Sequence, residues 1–116
     1  METKENQLQL YEDFSKYWQK RSQLLPEVAS AGDNVRETVY KDGVLSRKMK
    51  RLIALAVALS TGCQPCIIGQ TKAAVEAGAT ANEVLEAASV ILAMRGTTGY
   101  TESWRIVKVL EELGIM

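Results

Sequence analysis

The run Leu52-Ile53-Ala54-Leu55-Ala56-Val57-Ala58-Leu59, continuing through Ser60-Thr61-Gly62 into Cys63-Gln64-Pro65-Cys66, decides how the whole chain is read. Wound as a helix, the first part is apolar on every face. A helix without a polar face belongs at the centre of a bundle or in a subunit interface. Ser46 is placed to cap it, with Thr61 near its end, and Gly62 supplies the left-handed residue that stops it. Arg47, Lys48, Lys50 and Arg51 crowd its first turns, against the preference of the helix dipole. A further helix then starts around Pro65, because a first-turn proline loses no needed hydrogen bond.

Working outward, Ile67, Ile68, Thr71, Ala74 and Val75 line one side of that helix, which is expected to end at Gly78. Thr80-Ala81-Asn82-Glu83 reads as a capping box opening the next helix, with Val84, Leu85, Ala88, Ile91 and Leu92 inward. Gly96 to Gly99 should break or kink the chain, and a last helix presents Tyr100, Trp104, Val107, Leu110 and Leu113 as one stripe. On the other side, Leu10, Tyr11, Phe14, Tyr17, Trp18, Leu24 and Leu25 form an aromatic-rich stripe suited to core packing or a subunit contact. Pro26 opens a second helix that Gly32-Asp33-Asn34 is expected to interrupt or restart before Tyr40; Asp42-Gly43 is a turn signal. No stretch alternates as a strand would, and there is no repeat or low-complexity tract. The expected fold is all-α, a compact bundle of about six helices with Cys-x-x-Cys at the start of a central one. It is read as a single all-helical domain over 1–116, with N-terminal helices in 1–42, a central part in 43–96 and a C-terminal helix in 97–116.

Composition narrows the chemistry. The 116 residues are 47% hydrophobic and 24% charged, ordinary for a folded soluble chain. Fourteen basic residues balance 14 acidic ones, so there is no electrostatic footprint for nucleic acid or an anionic membrane surface. The histidine count is 0, which excludes a Ser-His-Asp triad, a Cys-His dyad and any His-ligated metal. No apolar run approaches the roughly 20 residues of a bilayer span, and the polar start Met1-Glu2-Thr3-Lys4-Glu5-Asn6 lacks a signal-peptide pattern. A cytoplasmic location is expected. Thiols there are normally reduced, so two nearby cysteines suggest redox work rather than a structural staple.

Cys63 and Cys66 carry the one constellation with chemistry in it. At this spacing in a helical first turn, two sulfurs lie close enough to bond with little backbone movement. Helix-start amides and the dipole favour the thiolate, the form that attacks peroxide or disulfide sulfur. The partner cysteine then resolves the product into an internal disulfide. The cysteine nearer the helix start is usually the more acidic, which suggests Cys63 as nucleophile. Other readings stand beside this one. Zinc wants four ligands, and only two subunits together would supply four cysteines. A thioredoxin-like motif follows a strand rather than an apolar helix. A static disulfide, or a pair of inert buried thiols, completes the alternatives.

The stretch Lys50 to Leu59, then Gly62-Cys63-Gln64-Pro65-Cys66-Ile67-Ile68-Gly69-Gln70-Thr71-Lys72-Ala73-Ala74, resembles the alkyl hydroperoxidase D and carboxymuconolactone decarboxylase family. Glu76-Ala77-Gly78-Ala79-Thr80, with Glu83, Val84 and Glu86-Ala87-Ala88, continues the pattern, and the likeness runs from about Gly43 to Gly96. The resemblance implies an all-helical fold whose subunits assemble as dimers, trimers or hexamers. It also implies either a thiol-dependent peroxidase or disulfide reductase, or a lactone decarboxylase that relies on histidine. Two positions depart from the redox branch: Gln70 stands where a histidine follows the second cysteine, and Arg51 where a glutamate stands in the preceding helix. The resemblance leaves open whether Cys66, which faces Gln70, is the attacking thiol.

Glutamine can hydrogen-bond a thiolate but cannot take its proton. Arg51 either lies solvated on the basic first turns of its helix or points inward and favours a thiolate by charge. Glu76, Glu83 and Glu86 are either substitute bases or exposed helix charges. The absence of histidine disfavours decarboxylation. The expected function is therefore a thiol-disulfide oxidoreductase, peroxidase-like, cycling Cys63 and Cys66, with Gln70 and Arg51 in support. No cofactor or metal is expected. The expected partners are a peroxide or disulfide substrate, a thiol reductant, and further copies of the chain in a dimer to hexamer. The alternative is a redox-sensing or structural homo-oligomer that kept the fold and lost the relay.

Overall fold

A computed structural model describes residues 5–116. Six α-helices follow in order: α1 (Gln7–Leu24), α2 (Pro26–Val39), α3 (Arg47–Thr61), α4 (Gln64–Glu76), α5 (Ala81–Tyr100) and α6 (Trp104–Glu112), the last preceded by a 3-10 turn at Thr101–Ser103. The described residues contain no strand.

The antiparallel α3–α4 hairpin is the centre of the fold, and α5 packs along α3. Leu55, Leu59, Ile67, Val84, Ile106 and Leu110 are almost completely withdrawn from solvent and join α3, α4, α5 and α6 in one apolar core. Burying side chains of this size stabilises a fold by about 1.5–3 kcal/mol each. From Leu52 to Leu59 α3 is apolar all round, yet only Leu52, Leu55, Ala58 and Leu59 are buried; Met49, Ile53 and Val57, spaced four apart, remain exposed.

Local capping sets the boundaries. Ser46 accepts from the Met49 amide at 3.1 Å and starts α3. Gly62, at φ 71°, ends it. There the Cys63 amide donates to Ala58 O at 3.2 Å and the Gly62 amide to Leu59 O at 3.1 Å, the paired bonds of a Schellman motif. The capping box foreseen at Thr80 is present: the Thr80 amide donates to Glu83 at 2.9 Å, and the Glu83 amide donates to Thr80 Oγ1 at 3.1 Å. The expected break in α5 falls at Gly96, whose backbone leaves the helical region at φ 65°.

Three expectations are corrected. Gly32-Asp33-Asn34 does not interrupt α2, since one glycine costs a helix only about 1 kcal/mol and the Arg36–Asp33 ion pair at 3.3 Å spans the same turn. Leu92 does not face inward; it is exposed while Val84, Ala88 and Ile91 are buried. The buried side of α6 is Arg105, Ile106, Val109 and Leu110 rather than the stripe through Trp104, because Ile106, Val109 and Leu110 at three- and four-residue spacing form the face turned to the core, and the 3-10 turn separates Tyr100 from it. Of the stripe on α1, read as core packing or a subunit contact, Tyr17 and Leu24 are exposed in the single chain and Tyr11, Phe14 and Trp18 are half-buried.

The start of α1 is tied to α6. Arg105, 5% exposed, receives Glu102 and Glu5 as ion-pair partners and donates to Gln7 Oε1 at 2.9 Å. Glu112 accepts from the Gln7 and Leu8 amides at 2.9 and 2.8 Å, and Asn6 accepts from the Gln9 amide at 2.7 Å. The first three amides of α1, which no helical carbonyl can reach, are thereby satisfied. This anchor lays α1 across α4 and so builds one wall of the site.

Candidate functional site

Cys63 closes the Schellman motif of α3 and is also the residue before the first turn of α4, so one residue joins two helices. Its carbonyl accepts the Ile67 amide at 2.9 Å, which starts α4, and Pro65 occupies the first turn without an orphaned amide. The tight joint brings Cys63 and Cys66 to a Cα separation of 5.2 Å, and the two are joined as a disulfide. Cys66 is exposed, whereas Cys63 is partly covered.

Cys66 opens onto a cleft of about 520 Å³ between α1, α2, α3 and α4. The aromatic side chains of α1 form its wall: Tyr11 and Phe14 have ring centroids 5.8 Å apart, and Phe14 and Trp18 are 5.6 Å apart. α1 approaches α4 closely because residue 69 is glycine. A Cβ there would lie 2.6 Å from Tyr11 Cε1 and 2.7 Å from its hydroxyl oxygen.

Arg51 and Gln70 meet at the cleft. Arg51 Nη1 donates to Gln70 Oε1 at 3.1 Å, and its guanidinium lies 3.5 Å from the centre of the Tyr40 ring. Of the two readings open for Arg51, the inward one holds. Its Nε is shut off from solvent and has no hydrogen-bond partner among the described residues. Gln70 lies four residues beyond Cys66, one helical turn along the same side of α4. Cys66, Gln70 and Arg51 therefore line a single cleft, and Cys63 reaches it through the sulfur bridge.

The acidic residues divide. Glu76 stands on the rim of the cleft. Glu83 is engaged elsewhere, with Lys48 at 2.9 Å and in its capping box; the Lys48 hydrogen bond, then that of the Thr80 amide, hold its carboxyl below the ordinary 4.5. Glu86 is exposed on α5 and does not line the cleft. Tyr40, Gly69 and Arg36 belong to these surroundings but were not singled out by sequence reasoning. Tyr40 ends α2 and meets Arg51 only through the fold, while the Gly69 signal was available as a glycine inside a helix.

Comparison with known proteins agrees with this architecture. Residues 26–109 match the sequence profile of the carboxymuconolactone decarboxylase family. Protein 4 of the cox locus of Paracoccus denitrificans is 36% identical over 101 residues, 81% of this chain and 91% of that protein. A carboxymuconolactone decarboxylase family protein from Legionella pneumophila superposes with a TM-score of 0.86 at 26% identity, over 91% of this chain and 95% of its own. A family member from Thermotoga maritima, described as a candidate for involvement in an antioxidative response, superposes at 0.68 with 30% identity, over 74% and 89% of the two chains. With the profile spanning most of the sequence and the helices superposing on family structures, this chain belongs to the carboxymuconolactone decarboxylase family.

Proposed function

We propose that the chain is a thiol-disulfide oxidoreductase that reduces an organic hydroperoxide with the Cys63–Cys66 pair. The observation that carries this reading is the exposed Cys66 sulfur at the start of α4, on a cleft that also holds Arg51 and Gln70. Helix-start amides favour a thiolate there, and a fixed guanidinium nearby acts in the same sense. The antioxidative association of the Thermotoga family member points the same way.

In the reduced protein, the Cys66 thiolate attacks the terminal peroxide oxygen. A sulfur–oxygen bond forms, the oxygen–oxygen bond breaks, and the alkoxide leaves and takes a proton from water. Cys63 then attacks the Cys66 sulfur. The sulfur–sulfur bond replaces the sulfur–oxygen bond, and the departing hydroxide with the Cys63 proton makes water. One hydroperoxide and two thiols become an alcohol, water and the disulfide. A thiol reductant, a dithiol protein or a small thiol, returns the pair to the dithiol by exchange, as a reducing compartment such as the cytoplasm allows.

Cys66 rather than Cys63 is assigned the attack, because it is the exposed sulfur and the one on the cleft. Gln70 supports the thiolate as a hydrogen-bond donor through its amide nitrogen, its oxygen being held by Arg51. The chain has no histidine, so decarboxylation by a histidine-dependent route is not proposed. Thiol-dependent consumption of cumene hydroperoxide by the wild type and its loss in both Cys63→Ser and Cys66→Ser is the expected result. Consumption retained in both variants overturns the reading.

Self-association is part of the same proposal. Met49, Ile53 and Val57 on α3 and Val28, Val35 and Val39 on α2 leave apolar rows uncovered in the single chain. Rows of this kind mark association surfaces. A redox-sensing oligomer without turnover is the second reading, favoured by the replacement of both relay positions by Arg51 and Gln70.

A further inference from the structure

We infer that the cleft beside Cys66 takes a carboxylate-bearing ligand with an apolar body, and that its preferred hydroperoxides are those of such acids. The inference rests on the proposed peroxidase reading for its kinetic consequence only. The binding argument stands on the geometry of the cleft.

Arg51 is a half-buried permanent cation that has no carboxylate partner among the described residues. Its protein contacts are neutral: one hydrogen bond to Gln70 and the face of Tyr40. The acidic groups around it do not compensate. Asp33 is taken by Arg36 at 3.3 Å. Asp42 accepts the Arg47 amide at 2.7 Å, and although Asp42 and Glu37 line a second hollow that Arg51 and Tyr40 also line, neither carboxylate reaches ion-pair distance of Arg51. Glu76 lies six residues past Gln70, about 9 Å along α4, with Lys72 between them on the cleft wall. In the disulfide neither sulfur carries a charge, and of the two carboxylates that line the cleft beside Arg36 and Lys72, neither Asp33 nor Glu76 reaches ion-pair distance of Arg51.

A half-buried cation whose Nε is shut off from solvent gains from a counterion, and a planar guanidinium fork is built to hold a carboxylate. The rest of the cleft has the complementary character. Tyr11, Phe14 and Trp18 offer an aromatic wall, with Arg21 and Arg36 stacked over the Trp18 ring at 3.9 and 5.2 Å, and the volume of about 520 Å³ suits a small organic acid. A ligand with its carboxylate on Arg51 and its body along the aromatic wall lies beside Cys66.

The test is a titration of the disulfide form, in a Trp104→Phe background so that Trp18 is the remaining indole, with 4-phenylbutyrate and with 4-phenylbutanol. Trp18 fluorescence is expected to report binding of the acid about tenfold tighter than of the alcohol, a preference that shrinks with added salt. Arg51→Gln should remove most of the preference, Arg36 and Lys72 in the same cleft accounting for any remainder, and Arg51→Lys should keep more of it. Equal affinity of the wild type for acid and alcohol, or an undiminished preference in a folded Arg51→Gln protein, overturns the inference. Should Arg51→Gln fail to fold, Lys72→Gln and Arg36→Gln decide the matter: the acid preference should survive in both, and its loss in either overturns the assignment to Arg51. In turnover, a fatty-acid hydroperoxide should exceed its methyl ester about tenfold in kcat/KM. Acid-selective binding without any turnover would uphold this site and overturn the peroxidase reading; turnover with no acid selectivity in either assay would do the reverse.

Discussion

Arg51 donates to Gln70 at 3.1 Å across the α3–α4 hairpin, one turn beyond Cys66 on the cleft wall. These are the two positions singled out in the sequence beside the cysteines, and the structure makes them partners of one another. A guanidinium hydrogen-bonded to an amide cannot relay a proton. It can hold negative charge in place. The account therefore replaces a proton relay by a fixed field, with the proton lost to water.

The first consequence is a pH effect. In Arg51→Gln the thiolate loses a neighbouring positive charge, so the rising limb of the rate-against-pH profile for hydroperoxide should move to higher pH. Stopped-flow rates from pH 5 to 9, about a range wide enough to bracket a thiol's titration, check this. An unmoved profile would mean that Arg51 does not act on Cys66.

The two cysteines should be distinguishable. Cys63→Ser leaves the attacking thiol without its resolving partner, so peroxide should trap a sulfenic acid at Cys66 that dimedone labels. Cys66→Ser should give little labelling at Cys63 on the same timescale. Mass spectrometry of the labelled peptides reads the difference, and the opposite pattern would exchange the assigned roles.

Gly69→Ala should loosen α1. The added Cβ falls 2.6 Å from Tyr11, so the ring must swing out of the cleft, offsetting the gain in helix propensity. A net loss of about 1–2 kcal/mol in urea denaturation is expected. Tyr11→Ala in the same chain should relieve the clash, so that the two changes are strongly non-additive.

The cap of α5 predicts an acid dependence. Thr80→Ala should cost about 1 kcal/mol. The Glu83 carboxyl is held below 4.5 by Lys48 and then by the Thr80 amide. Its contribution is therefore complete above the unfolded value and lost as pH falls through the lower folded one. Glu83→Gln should flatten the acid side of the stability curve, which thermal melts across this range would show.

Ile53→Glu with Val57→Glu should reduce the mass seen by light scattering while leaving the helical circular dichroism intact. Both side chains are exposed on α3 and opposite its buried leucines. An unchanged mass would place the association surface elsewhere.

What the sequence revealed follows from how local each signal is. Ser46, Gly62 and the Thr80–Glu83 box act within a few residues, and each caps or ends its helix where expected. The Cys-x-x-Cys joint was legible for the same reason. The buried Arg105 was not, because its partners Glu5 and Gln7 lie at the far end of the chain, and no periodicity marks such a pair. The buried face of α6 was legible as Ile106, Val109 and Leu110 at three- and four-residue spacings, but the expected stripe is started from Tyr100 and Trp104, on the other side of the 3-10 turn and at its end. Arg51 could be named from its place in the sequence. Its direction depended on Tyr40 and Gln70, which only the packed hairpin brings to it.

The most direct measurement is brief exposure of fully reduced protein to one equivalent of cumene hydroperoxide, followed by alkylation and intact-mass analysis. The account predicts that both thiols disappear within seconds and that the product is the internal Cys63–Cys66 disulfide. Full alkylation of both cysteines after many minutes would contradict it, and would leave a redox-inactive or sensing assembly as the reading of this fold.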